Sequence, residues 1–367
     1  MAGARGTGRP NDIRRESSMI STSRPPIDLR SDTVTRPTPA MRRAMAEAEV
    51  GDDVWEEDPT VQRLEARAAE QFGKDAGLFV ASGTMGNQVA VLAHTQPGQE
   101  VIAEAESHMV NLEVGGIARL SLCQTRPLRS ERGLPDPAEV RQAIRPRNIH
   151  IPPTGLIALE NTHNLKGGIA FTPEEIEAVA AIGREHGVPV HLDGARLFNA
   201  MVALDRDARE YGRAVDTVQF CLSKGLGAPV GSLLVGPADF IGRARRMRKL
   251  LGGGMRQVGV LAAAGLVALD TMVERLAEDH RNARRLAEGL RELPRLRVDV
   301  DRVTTNIVIV EVERPDGAGL LVDGCRARKV KIHAVGPRAI RCVTHKDVDG
   351  EDIERALAAV REITAGW

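Results

Sequence analysis

Residues 217–227 read TVQFCLSKGLG, an apolar, β-branched run that stops at Lys224 and then breaks into glycines. Similar short apolar runs alternate with helix-like segments between about residues 60 and 240. Strands that are apolar on both faces and joined by helices are typical of a mainly parallel sheet with helices on each side. The sequence therefore predicts an α/β domain whose ligand lies beyond the carboxyl ends of the strands. Predicted strands cover 77–82, 100–108, 155–163, 189–195, 217–225 and 231–237, and predicted helices cover 59–73, 86–94 and 172–187.

The pattern changes in the last third of the chain. A long helical stretch at 257–292 precedes an alternating run at 304–313, a further strand at 339–345 and an amphipathic helix at 349–363. This order is typical of a smaller α+β domain. The predicted organisation is a disordered N-terminal extension at 1–27, a large domain at 28–265 that begins with an N-terminal arm at 28–44, and a small C-terminal domain at 266–367.

The overall charge gives no reason to expect a polyanionic partner. Lys plus Arg and Asp plus Glu both number 50, so we expect no nucleic acid and no anionic membrane as partner. We interpret the basic run 243–256 as a solvated helix face or a subunit contact. The longest apolar run, 259–269, is too short to span a bilayer. The four cysteines have neither zinc-type spacing nor a disulfide pattern, so we expect a cytoplasmic protein without a metal.

A turn of small residues follows the first predicted strand. SGTMGN (82–87) leads into a helix start, where free backbone N–H groups and the helix dipole favour an anion and Thr84 adds a hydroxyl. An ordinary capped turn is the alternative interpretation. The glycine loops typical of nucleoside triphosphate and dinucleotide sites are absent from the sequence. A smaller phosphate-bearing ligand is therefore the functional hypothesis for this turn.

Two later strand ends carry charged groups. Asp193 ends one predicted strand with Arg196 shortly after it, and Lys224 ends the next. Asp193 alone could cap a turn, and Lys224 alone could mark a strand reaching the surface. Together with the phosphate turn they match the needs of pyridoxal 5′-phosphate, which takes a lysine for its aldehyde, an acid for its ring nitrogen and a helix start for its phosphate. Ser223 is a further candidate for holding the phosphate or positioning Lys224.

Longer blocks of sequence carry a family resemblance that extends from about residue 28 to the end of the chain. The chain resembles the low-specificity L-threonine aldolases, which have the aspartate-aminotransferase-like type I fold of pyridoxal phosphate enzymes. The resemblance implies a seven-stranded, mainly parallel sheet between helices. The matching blocks include DLRSDTVTRP (28–37), GDDVWEEDPTV (51–61), SGTMGN (82–87), ENTHN (160–164), HLDGARLFNA (191–200), CLSKGLGAPVGSLLVG (221–236), GGGMRQ (252–257) and IRCVTHKDV (340–348).

The resemblance also implies roles for individual residues and a homotetramer, a dimer of dimers with shared active sites. Trp55, Lys249 and Arg256 would reach the site of a neighbouring subunit, where the ring of Trp55 would affect which aldehydes fit. Catalytic roles are implied for Lys224, His108, Asp193 and His150. Cofactor binding is implied for Lys224, Gly83, Thr84, His108 (stacked on the ring), Asp193, Arg196 and Arg256, and substrate binding for Ser31, Arg196, Arg341, Lys249 and Trp55.

The implied reaction is retro-aldol cleavage of L-threonine, L-allo-threonine and related L-β-hydroxy amino acids to glycine and an aldehyde. Other type I fold enzymes, a β-eliminating lyase or an amino acid racemase, are the alternative, and a non-catalytic binding protein of this fold is a third. The base that takes the β-hydroxyl proton stays open between His108, His150 and a water held between them. The preference for the threo or the erythro substrate also stays open.

Overall fold

The computed structural model describes residues 25–146 and 148–367. Its strands form one sheet of seven strands, one of four and one of two. The strands are β1 (Ile27–Asp28), β2 (Ala76–Val80), β3 (Glu100–Glu104), β4 (Gln124–Leu128), β5 (Thr154–Glu160), β6 (Val190–Asp193), β7 (Thr217–Cys221), β8 (Ser232–Gly236), β9 (Leu296–Arg297), β10 (Ile307–Val312), β11 (Val330–Lys331), β12 (His333–Gly336) and β13 (Ala339–Val343).

Helices connect most of these strands. Several begin at residues that sequence rules favour, since Asp58 and Thr172 cap helices whose first residue is proline. The helices are α1 (Pro39–Ala46), α2 (Pro59–Phe72), α3 (Gly83–His94), α4 (His108–Asn111), α5 (Gly116–Leu120), α6 (Pro137–Ala143), α7 (Pro173–His186), α8 (Leu197–Leu204), α9 (Ala208–Ala214), α10 (Ala238–Leu250), α11 (Gly259–Thr271), α12 (Leu276–Arg291), α13 (Gly317–Ala327) and α14 (Gly350–Thr364).

The seven-stranded sheet has the order β2-β8-β7-β6-β5-β3-β4. Strand β8 runs antiparallel to both of its neighbours, and the pairs from β7 through β6, β5 and β3 to β4 are parallel. The predicted α/β class with a mainly parallel sheet is thus confirmed. Because β6 and β7 are adjacent and parallel, the segments that carry Asp193 and Lys224 leave the sheet at the same edge. Strand β2 runs in the same direction as β7, so the start of α3, which follows β2, lies at the same end of the sheet.

Several elements differ from the sequence prediction, and three of them illustrate why. Strand β4 was not predicted, because QTRPL is polar and pairs only with β3 at the sheet edge. The strand predicted at 100–108 ends at Glu104, and His108 instead begins α4. The long helix predicted at 257–292 is two helices, α11 and α12, separated at 272–275.

The two largest of the four hydrophobic cores in the described residues bear on the domain division. The larger one extends from Met41 to Leu276, and the smaller one joins Ile27 and Leu29 to residues from Ala283 onward. The cores therefore divide within α12, whereas the boundary predicted at residue 265 lies inside α11. The domain organisation stays a prediction. The predicted disordered extension, 1–27, lies outside the described residues up to residue 24, and Ile27 is buried in β1, which pairs with β11.

The described residues contain no helix that is long and apolar enough to cross a membrane. The four cysteines are buried free thiols.

Candidate functional site

Lys224 lies three residues beyond the end of β7 and is half-buried, as is its neighbour Ser223. Its backbone oxygen accepts a hydrogen bond from Thr35 Oγ1 at 2.9 Å, which fixes the main chain at this point. Within the part of the chain that the structure describes, the Lys224 amine forms no hydrogen bond and no ion pair. A half-buried amine without such a partner among the described residues is a candidate for covalent chemistry.

Asp193, the last residue of β6, is a fully buried carboxylate held only by neutral groups. Its Oδ2 accepts from Asn87 Nδ2 at 2.8 Å, and its Oδ1 accepts from Gln219 Nε2 at 2.9 Å and from the Ala195 N–H at 3.0 Å. No Lys, Arg or His in the described residues forms an ion pair with it. A buried anion with hydrogen bonds but no counter-ion is suited to a cationic ligand group.

His108 begins α4 next to Asp193 and is fixed by Glu113. The His108 Nδ1 and Glu113 Oε1 atoms are 2.9 Å apart, and the backbone N–H of His108 donates to Glu160 Oε2 at 2.6 Å. Burial lowers the pKa of His108, but the hydrogen bond to Glu113 and the charge of Asp193 outweigh that effect and raise the pKa above its usual value. Because a carboxylate only accepts, Nδ1 carries the proton and Nε2 is left as the reactive nitrogen.

The start of α3 lies against the end of β7. Ser82 caps this helix by accepting a hydrogen bond from the Met85 N–H at 3.2 Å. A Cβ atom at Gly83 would lie 2.7 Å from Cys221 Sγ, so only glycine lets the helix start approach the strand this closely. Thr84 is exposed beside it. The first turn of α3 thus presents backbone N–H groups at the edge where Lys224 lies, as an anion site requires.

Asp32 and Arg196 form a buried, bidentate ion pair, with Arg196 Nε and Nη2 2.8 Å and 2.7 Å from the Asp32 oxygens. Burial raises the pKa of Asp32, but Arg196 and Lys224 outweigh it and hold that pKa well below its usual range. Arg196 Nη1 also donates to Asn164 Oδ1 at 3.3 Å. Ser31, just before Asp32, accepts from the Thr33 N–H at 3.2 Å. The Arg196 guanidinium is therefore largely occupied within the protein.

Arg341, on β13, is less occupied. Its Nη1 donates to the same Asn164 oxygen at 3.0 Å, while its Nε is buried without a hydrogen-bond partner. No carboxylate in the described residues pairs with it. Burial and the neighbouring Arg196 lower the pKa of the Arg341 guanidinium. Two adjacent arginines with one carboxylate between them leave a positive charge that an incoming carboxylate can neutralise.

Lys224, Asp193, His108, Arg196 and Arg341 are called the Lys224 cluster below. Four predicted site residues lie apart from the Lys224 cluster, on the surface of the chain. Trp55, Lys249, Arg256 and His150 are exposed, and none has a hydrogen bond or ion pair to the cluster within the described residues. Arg256 pairs with Asp52 at 2.9 Å, and its backbone oxygen accepts from the Asp53 N–H, so the segments around residues 52 and 256 lie together. The His150 backbone N–H donates to Asn148.

Sequence reasoning missed the residues that hold the cluster in place. The usable signals were weak: Asp32 lies inside the block 28–37, and Asn87 is one turn beyond Gly83 on the helix start. Glu113 lies in no block that the sequence analysis singled out, and two of its partners, Asn87 and Gln88, are on the distant helix α3. The missed residues are Asp32, Asn87, Glu113, Asn164 and Gln219.

A family model described as beta-eliminating lyase matches residues 28–315. The low specificity L-threonine aldolase of Escherichia coli K12 is 45% identical over 340 residues, which cover 92% of this chain and 99% of that protein. The chain belongs to the low-specificity L-threonine aldolase family. The low-specificity L-threonine aldolase 1 of Arabidopsis thaliana is 44% identical over 344 residues, covering 92% of this chain and 96% of that one.

Solved structures show the same fold. A Leishmania major threonine aldolase superposes with a TM-score of 0.80 at 21% identity, covering 92% of this chain and 100% of that one. A Sphingomonas wittichii serine palmitoyltransferase superposes with a TM-score of 0.73 at 17% identity, covering 93% and 88%. The predicted type I fold of pyridoxal phosphate enzymes is confirmed.

The cofactor of the threonine aldolase family is pyridoxal 5′-phosphate, and the residues of the site fit it. Lys224 offers an unpaired amine for the aldehyde. Asp193 offers a buried carboxylate without a counter-ion for the ring nitrogen, and the start of α3 offers N–H groups for the phosphate. Ligand atoms of His108, Glu113 and Asp193 lie within 4.8 Å of one another, as a metal site would also require, and the absence of a metal stays a prediction.

We predict that Glu113→Gln lowers the pKa of His108, because the variant removes the charge that favours the imidazolium. In the native protein the folded-state pKa lies above the unfolded value of about 6.5. The pair therefore stabilises the fold below that pH, and the stabilisation is lost as the pH rises through the folded-state pKa. Histidine-labelled NMR titration measures the shift. Glu106→Gln, which removes an exposed carboxylate two residues before His108, is the control, and equal midpoints in both variants would contradict the assignment.

Proposed function

We propose that the protein cleaves L-threonine, L-allo-threonine and related L-β-hydroxy amino acids to glycine and an aldehyde. It is a carbon–carbon lyase of the aldehyde-lyase type that uses pyridoxal phosphate. The observation that carries the proposal is the charge arrangement around Asp32. Three cations, Lys224, Arg196 and Arg341, interact with this one carboxylate. The excess positive charge suits an amino acid carboxylate and an anionic cofactor.

Substrate binding follows from the free donors of Arg341. We place the substrate carboxylate on the Nε side of Arg341, where a buried N–H has no partner in the described chain. Asn164 fixes this guanidinium from the other side, and Ser31 lies next to the pair formed by Asp32 and Arg196. Holding the carboxylate at one end fixes the rotation about the bonds at Cα, which decides which of those bonds breaks.

Each residue then has one task. When bound at this site, pyridoxal phosphate would supply the electron sink for cleavage of the Cα–Cβ bond. Asp193 would hold the proton on the ring nitrogen of the bound cofactor. His108, with its proton fixed on Nδ1 by Glu113 and its pKa raised, takes the β-hydroxyl proton on Nε2, directly or through water. A positioned base of this kind contributes about 10²–10⁴-fold to the rate. The role of His150 stays a prediction.

The two rival reactions leave different products. A β-eliminating lyase would release pyruvate and ammonia, and a racemase would return the inverted amino acid. Product analysis after incubation with L-threonine separates these from glycine and acetaldehyde. A panel of L-β-hydroxy amino acids would then rank the threo, erythro and aryl substrates.

The proposed assembly is a homotetramer in the cytoplasm, a dimer of dimers with shared active sites. This places Trp55, Lys249 and Arg256, all exposed on the single chain, at the site of a neighbouring subunit, where Trp55 limits the size of the aldehyde. The proposal accounts for residues of the matching blocks 51–61 and 252–257 lying outside the Lys224 cluster of their own chain.

Shared sites predict complementation between inactive variants. Lys224→Ala removes a residue of one chain's own cluster, whereas Arg256→Ala removes a residue supplied to the neighbour. Refolding the two variants together creates some sites with neither substitution, so part of the glycine-forming activity returns. Each variant refolded alone is the control. Two outcomes would contradict the shared-site proposal: mixed assemblies that recover no activity, or a sedimentation equilibrium mass of a single 39.6 kDa chain.

Lys224→Ala tests the proposal most directly. We expect the visible absorbance of the bound cofactor and glycine formation from L-threonine both to be lost, because no other unpaired amine lies at this strand end in the described chain. Absorbance spectra of the purified protein and a glycine assay are the measurements. The exposed residue Lys331 supplies the control variant Lys331→Ala. Turnover by Lys224→Ala at the wild-type rate would refute the assignment.

Arg341→Gln tests the carboxylate site. Charge-assisted hydrogen bonds contribute about 1.5–3 kcal/mol, so we expect KM for L-threonine to rise by about 10- to 100-fold. Cofactor absorbance should stay, because Asp193 and Lys224 are unchanged. Steady-state kinetics measure the effect, with the exposed Arg338 supplying the control variant Arg338→Gln. An unchanged KM would remove Arg341 from substrate binding.

A further inference from the structure

Polar side chains form a continuous line through the buried interface between α3 and the sheet. His191 and Asp193 are two residues apart on β6, so both side chains point to the same face of the sheet. Thr217 pairs with His191 in the neighbouring strand β7. Asn87 and His94 are seven residues apart on α3 and therefore lie on one face of that helix. His191, Thr217 and Asn87 are each at most 1% exposed, while His94 is half-buried. This line connects the rim of the sheet with Asp193.

The carboxylates at one end fix the orientation of Asn87. Its Nδ2 lies 2.8 Å from Asp193 Oδ2 and 2.8 Å from Glu113 Oε1. Carboxylates only accept, so both amide hydrogens are used there. The Asn87 oxygen must then face His191, whose Nε2 is 3.2 Å away. His191 Nε2 is therefore a donor.

The orientation of the next two links follows from the first. Burial lowers the pKa of His191 to about 4, so the ring is neutral at pH 7 and its Nδ1 must accept. The hydrogen-bond partner at 2.9 Å is Thr217 Oγ1, which therefore donates its proton to His191. The same oxygen lies 2.9 Å from His94 Nε2, and burial lowers the pKa of His94 to about 3. His94 Nε2 donates to Thr217, and every link points its proton toward Asp193.

We propose that His94, Thr217, His191 and Asn87 form a hydrogen-bond relay of fixed polarity that orients the Asp193 carboxylate toward the cofactor. His191 is the central positioning residue. Without its Nε2–H, the buried Asn87 oxygen would have no hydrogen-bond donor, and the amide that donates to Asp193 would be held less firmly. The relay orients groups and does not conduct protons, because an amide interrupts it. The inference rests on the proposed role of Asp193 at the cofactor ring nitrogen.

Neutron diffraction from deuterium-exchanged crystals of the wild-type holoenzyme tests the polarity without any substitution. We expect deuterium on Nε2 of both His191 and His94, and the Thr217 hydroxyl directed at His191 Nδ1. Deuterium on His191 Nδ1, or an Asn87 oxygen that faces Asp193, overturns the proposal. This measurement does not depend on the folding of a variant.

A pair of variants tests the consequence. His191→Leu removes the donor, and His191→Gln retains an N–H at a similar reach. For His191→Leu we expect an altered absorbance band of the bound cofactor and release of pyridoxal phosphate about tenfold faster, equivalent to about 1.4 kcal/mol. His191→Gln should restore both values toward those of the wild type. Absorbance spectra of the holoenzymes measure the band, and the loss of bound cofactor with time during dialysis against buffer measures the release rate.

Tyr211→Phe is the matched control, because it removes another buried hydrogen bond, from the Tyr211 hydroxyl to the Phe171 oxygen at 2.9 Å, from the same domain core. A merely structural role for His191 predicts that His191→Leu and Tyr211→Phe behave alike, with an unaltered cofactor band, and that outcome overturns the relay. Wild-type protein that binds no pyridoxal phosphate would instead refute the proposed function, so the two failures are distinguishable.

Discussion

The buried ion pair between Asp32 and Arg196 is the interaction on which the site depends. Asp32 comes from the N-terminal segment, Arg196 follows β6 of the large sheet, and Asn306 next to β10 donates to the same carboxylate at 3.2 Å. The pair therefore holds three separate parts of the chain together. Burying two charges is costly, and removing one partner leaves the other uncompensated, at about 3–5 kcal/mol. The bidentate geometry and the further hydrogen bonds from Asn306 and to Asn164 are what such a pair requires to be stable.

The site has two regions of opposite excess charge, one around the pair of Asp32 and Arg196 and one around His108. Around this pair positive charge exceeds negative, because neither Lys224 nor Arg341 forms an ion pair with a carboxylate of the described residues. Around His108 the balance is reversed, since Asp193, Glu113 and Glu160 are all buried carboxylic groups, and burial raises the pKa of Glu160. An amino acid carboxylate matches the first region and a protonated ring nitrogen matches the second. The polarity of the fold thus orients both molecules before any bond changes, which is the main means by which a preorganised site lowers a barrier.

The sequence was informative where a local pattern carries the physics. Apolar strands, helix caps and the charged ends of 189–195 and 217–225 led to the sheet, to Asp193 and to Lys224. Partners from distant parts of the chain left no local trace: Glu113 meets Asn87 only because α3 packs against the segment that follows α4. The prediction missed the edge strand β4 for a different reason. Its residues are polar, and its backbone pairing with β3 does not depend on an apolar pattern. Residues attributed to a neighbouring subunit, such as Arg256, cannot be tested by the geometry of one chain.

The polar residues between α3 and β6 show why apolar side chains cannot simply replace a buried polar network beside the site. Thr217 and His191 occupy inward positions where valine or leucine would themselves bring no polar atoms. Replacing a whole buried polar network by apolar residues is often neutral or stabilising. Asp193, however, would then be held by an Asn87 amide whose buried oxygen has lost its own donor. A network in which every donor and acceptor is assigned specifies one arrangement, whereas a partly satisfied one does not. The polar positions therefore contribute to the uniqueness of the geometry around Asp193, and this is a property that a stability measurement alone does not detect.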